Sequence, residues 1–177
     1  MSDDLPEKLA NDLARSFGHL KVLAQYLQPA TAILTSSIIE RALEAALIAK
    51  MRPISNRLKE RLFEGYGPFA SFSSKIDVAY ALSIISDDVF DDLKIIKEIR
   101  NEFAHPKTTI VHFEDEEISI IVRKFKGYSK DEGNGQVFVR KCTSSLEALG
   151  GNVDFLKPFM GLVQQSSSLP SLPEKSR

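Results

Sequence analysis

The chain has 177 residues, 43% of them apolar and 27% charged. That balance suits one globular domain and excludes both a disordered polymer and a long apolar membrane segment. Lys and Arg number 23 against 24 Asp and Glu, a net charge of −1, so any nucleic-acid contact must come from a local patch. The lone Cys142 excludes an intrachain disulfide framework and a cysteine zinc site.

The acidic start, MSDDLPEKLANDLARSF, lacks the basic-then-apolar order of a signal peptide and predicts a cytoplasmic chain. Asp3 or Asp4 can cap a first helix with Pro6 in its first turn. Leu9, Leu13, Phe17, Leu20 and Leu27 recur at helical spacing to about Gln28, where Pro29 is expected to end the helix. A second helix, Ala30 to Met51, carries TSSIIERALEAALIAKM and reads as buried on most sides, central to a bundle.

Beyond Pro53, ISNRLKERLF is helical in spacing and basic on its polar face, and EGYGPF forces a turn. Ser71 or Ser73 can cap a helix carrying Phe72, Ile76, Ala79, Tyr80 and Ile84. Ser86 can cap SDDVFDDLKIIKEIRNEFAH, whose acidic first turn suits the helix dipole and which Pro106 ends. TTIVHF is β-branched and fits a short extended stretch, EDEEISIIVRKF has the charge order of a helix, and GYSKDEGNGQ reads as a loop. VFVRKCTSSLEALGGNVDFLKPFMGLVQQ is terminal helical material broken near Gly150 and Gly151. The pattern predicts an all-α bundle of about six to eight helices in a single domain, residues 1–164, followed by a flexible Ser/Pro-rich tail, 165–177.

Three groups of residues carry possible chemistry. In the helix after Ser86, Val89, Leu93, Ile96 and Phe103 form an apolar stripe with Arg100 in line. A guanidinium there needs a partner: Glu40 or Asp77 as an internal ion pair, or a phosphate held in two-pronged fashion. Arg100, Asn101 and His105 form the second group, with His105 at a helix end that suits either dipole stabilisation or general acid–base work. The third is KMRPISNRLKER, where Arg52, Arg57, Lys59 and Arg61 could contact phosphates and make binding salt-dependent. His19 and His112 lack ligand-spaced neighbours, so neither a metal nor another cofactor is expected, and no phosphate loop, nucleophile elbow or helix-turn-helix is present.

The stretch LFEGYGPFASFSSKIDVAYALSIISDDVFDDLKIIKEIRNEFAH, with ILTSSIIERALEAAL before it, resembles the mannitol operon repressor (MtlR) family over about residues 15 to 125. That resemblance implies a helical fold and a bacterial transcription regulator that is not an enzyme. Its partners would be DNA or a regulatory protein, and it would work as a homo-oligomer, a dimer being favoured. The tract Arg100 to His105 also resembles the Arg-Asn-x-x-x-His motif of the HEPN superfamily. By that resemblance a dimer would act as a metal-independent ribonuclease on RNA, Arg100 stabilising the phosphate, His105 assisting attack and Asn101 orienting both. A third reading is a noncatalytic interaction scaffold, in which the Arg100 stripe packs against another helix.

Overall fold

A computed structural model describes residues 4–106 and 111–167, with side chains described from Tyr26 to Val163 except Phe155. Among these residues there are seven α-helices and no strand, so the protein is an all-α bundle. The helices are α1 (Asp4–Lys50), α2 (Asn56–Phe63), α3 (Phe72–Ala81), α4 (Asp87–Ala104), α5 (Glu116–Val122), α6 (Asn134–Ala148) and α7 (Lys157–Ser167), with a 3₁₀ turn at Val153–Leu156.

α1 is the spine, packing against α3, α4, α6 and α7. It is one helix of 47 residues, about 70 Å at ~1.5 Å per residue, where the sequence predicts two separated at Pro29. Proline removes one N–H from the ladder, but packing outweighs that loss. Gln28, Thr31, Ala32, Thr35, Ser36, Ile39, Leu43 and Leu47 form one continuous buried stripe from beside the proline to the helix end. The hydroxyls on this stretch stay within the helix: Thr35 donates to the Thr31 carbonyl at 2.7 Å and Ser36 to the Ala32 carbonyl at 2.7 Å. The C-terminal half is less enclosed than its composition suggests, because Leu34, Arg41, Ala45 and Ala49 are exposed.

Local signals place the shorter helices. Ser55, Ser71 and Ser86 accept the N–H groups of Leu58, Ser74 and Val89 and start α2, α3 and α4. α3 closes at Ala81, so Ile84 lies beyond it. α4 closes at Ala104, with His105 as its C-cap, just before Pro106. α5 forms in the acidic-then-basic segment, with Glu116 and Glu117 in its first turn and Arg123 as C-cap. Residues 107–110, which include the first three of the β-branched TTIVHF segment, lie outside the described residues.

α6 begins inside the segment read as a loop. Composition misleads here because Asn134 and Gly135 serve packing: the Asn134 amide donates to the Phe113 carbonyl at 2.9 Å and to Ser119 Oγ at 2.8 Å. A β-carbon at Gly135 would stand 3.0 to 3.1 Å from Val163 and Phe113, so glycine lets α6 close on its neighbours. α7 runs to Ser167, three residues into the segment expected to be a flexible tail; residues 168–177 lie outside the described residues.

The core is a single cluster crossing all of these elements. Its centre is a run of rings, Phe103 to Phe113 at 4.8 Å and Phe113 to Phe138 at 5.3 Å between centroids. The buried Gln28 side chain accepts the Phe113 N–H through its Oε1 at 2.7 Å and ties the segment before α5 to α1.

Candidate functional site

On α4 the buried positions are Leu93, Ile96, Ile99 and Phe103. A strict seven-residue count from Leu93 puts Arg100 in the stripe. A regular helix turns every ~3.6 residues, and it is Ile99 that keeps to the buried face. Arg100 therefore stands at the flank of the stripe, its side chain 32% exposed, where it meets α1.

There it joins a cluster of five charges contributed by four helices. Arg100 Nη2 lies 3.7 Å from Glu40 Oε2, and its Nη1 donates to Asn101 Oδ1 at 3.2 Å. Lys75, from α3, places its ammonium 3.1 Å from Glu40 Oε1 and 3.1 Å from Glu44 Oε2, with its side chain only 6% exposed. Lys59, from α2, reaches Glu44 Oε1 at 3.7 Å. Three cations thus share two carboxylates one helical turn apart on α1, and the most enclosed of them has the shortest contacts. Asp77 is exposed and takes no part in this cluster.

His105 is exposed at the end of α4, and its backbone N–H donates to the Asn101 carbonyl at 3.0 Å. No hydrogen bond joins its ring to Arg100, and the Arg100 guanidinium is directed to Glu40 and Asn101. The tract holds one residue in an interhelical charge cluster and another at a helix terminus.

Sequence reasoning passed over Lys75. The signal was present, since Lys75 falls on the same helical face as Phe72, Ile76 and Ala79, all of them buried. A lysine on an apolar face next to a helix carrying Glu40 and Glu44 predicts a bridge between them.

The basic segment has a different character. Arg52, Arg57 and Arg61 are exposed and form no ion pair, whereas Lys59 is half-buried and engaged with Glu44. α2 ends in a loop of fixed shape: Gly65 has φ +57°, and a β-carbon on Gly67 would stand 2.5 Å from the Leu62 carbonyl oxygen. The Phe69 N–H donates to that carbonyl at 2.8 Å, and the Phe63 and Phe69 rings pack at 5.6 Å.

A hollow of about 190 Å³ between α4, α5 and α6 is bordered by Asp88, Asp91, Asp92, Lys124, Lys126 and Lys141. Lys141 pairs with Asp92 at 2.9 Å, and Lys126 with Asp88 at 3.0 Å. Cys142 is enclosed in the core, and burial pushes its thiol well above the ordinary range. Among the described residues no three His, Cys, Asp or Glu side chains are grouped to hold a metal. None of the described helices is long and apolar enough to cross a membrane.

The chain is an all-helical bundle in which Arg100 is tied into the packing between α4 and α1. The family can be stated: the model for the mannitol repressor (MtlR) matches residues 19–141, and the chain belongs to that family. Among solved structures it is similar to MtlR in the X-ray structure of the MtlR–HPr complex from Escherichia coli. That match has 14% identity and a TM-score of 0.48, covering 83% of this chain and 98% of that one. No curated protein matches the chain.

Proposed function

We propose that this chain is a cytoplasmic transcription regulator of the mannitol-repressor kind that works by binding and not by catalysis, and that the exposed face of α2 is its nucleic-acid contact. The observation that carries the reading is the unequal use of cations. Arg100 is taken up by Glu40, while Arg52, Arg57 and Arg61 are exposed and form no ion pair among the described residues. Free guanidinium groups suit phosphate oxygens, and neutralising phosphates releases counterions. Lys59, at the edge of this face, contributes less because Glu44 already holds it.

The test is binding to duplex DNA from the promoter the protein regulates, followed by fluorescence anisotropy across a salt series. With three arginines on phosphates, log K falls with log salt at a slope of about −2.7. Arg57→Glu with Arg61→Glu removes most of the binding and flattens that slope, and Lys59→Ala changes little. Unchanged binding in the double variant sinks the α2 assignment. Absence of any DNA binding by the unaltered protein sinks direct repression and places regulation through a protein partner.

A further inference from the structure

α1 has a second stripe that the bundle leaves largely exposed, only Ile38 in it resting partly against the core. At ~100° per residue, Leu27, Leu34, Ile38, Arg41 and Ala45 fall within about 60° of arc, roughly 130° from the centre of the buried stripe. Leu27 is 37% exposed and Leu34 51%, and Arg41, Ala45 and Ala49 are exposed as well. The stripe leads into a cleft of about 610 Å³ between α1 and α2, floored by Ala45, Ile48 and Ala49.

We propose that this face is where a second copy of the chain docks, the two α1 helices lying antiparallel about a two-fold axis between positions 41 and 42. This goes beyond the regulator reading and does not depend on the α2 assignment. The stripe complements itself in size. In that register Leu34 lies opposite the second copy's Ala49 and the partly buried Ile38 opposite its Ala45, so the protruding leucine of each copy meets a small residue of the other. A two-fold interface requires this reciprocity. It also complements itself in charge. The cleft rim carries Arg41 and Lys59 with Glu44 and Glu64, two of each sign. In the same register Arg41 comes within a turn of the second copy's Glu44, while a uniformly acidic or basic partner would meet like charge from half of this rim.

The mass of the full chain in solution, by light scattering from micromolar to 100 micromolar, reads the proposal directly. The expected value at the upper end is twice the 19.7 kDa of one chain. Leu34→Glu raises the dissociation constant by roughly 100-fold, because it sets a carboxylate in the seam. Leu34 is exposed in the monomer, so the variant keeps its helical circular dichroism. Two cysteine variants test the register: Arg41→Cys, beside the axis, oxidises to a disulfide-linked dimer, and Ala30→Cys, opposite no α1 partner, does not. The native Cys142 is buried and leaves this readout clear. A single-chain mass throughout overturns the proposal, as does a dimer unaffected by Leu34→Glu. Cross-linking of both cysteine variants overturns the antiparallel arrangement.

Discussion

The cluster where α1 meets α3 and α4 and the basic face of α2 are built from the same residue types, and they share Lys59. In the first, acids stand one turn apart on α1 and every cation is answered, down to Lys75 with its side chain 6% exposed. In the second, Arg57 and Arg61 on α2 and Arg52 just before it are exposed and form no ion pair among the described residues. A cation enclosed without partners would cost several kcal/mol, so the first region is bound to be architectural. A solvated guanidinium costs nothing to leave unpaired and remains available to a ligand.

Substitutions should separate the two regions by size of effect. The largest is expected at Lys75: Lys75→Ala leaves two neighbouring carboxylates facing each other and lowers the unfolding free energy by about 3 kcal/mol in urea titration. Next comes Gly67→Ala, which forces a β-carbon against the Leu62 carbonyl and costs about 2 kcal/mol in the same measurement, while α2's charges are untouched. Arg100→Ala removes one half-exposed partner of Glu40, which keeps Lys75, and costs about 1 kcal/mol. Smallest is Arg57→Glu with Arg61→Glu, within about 0.5 kcal/mol of the parent by thermal unfolding, although this variant carries the largest expected loss of nucleic-acid binding. A double variant that unfolds as readily as Lys75→Ala would erase the distinction.

Much of this arrangement is legible in the sequence where the deciding interaction is local. Ser71 and Ser86 announce their helices because a hydroxyl answers an N–H three residues on, and the acidic first turns of α4 and α5 follow from the dipole. Legibility fails where distant contacts decide. Pro29 stays inside α1 because packing along one buried stripe outweighs one missing hydrogen bond, and Gly133-Asn134-Gly135 starts a helix because Phe113, Ser119 and Val163 await it. The role of Arg100 depends on which acid faces it across the bundle. Sequence leaves Glu40, Asp77 or a bound phosphate as its partner, and the fold sets Glu40 beside it. Lys75 was overlooked because a lysine is read as surface unless its position on the helical face is weighed.

We propose that Arg100 and His105 serve the bundle and not a reaction. Incubating the purified protein with single-stranded RNA in the presence of a metal chelator, alongside Arg100→Ala and His105→Ala, tests it most directly. No cleavage is expected from any of the three, with Arg100→Ala distinguished only by its lower stability. RNA cleavage by the unaltered protein that is lost in both folded variants would contradict it.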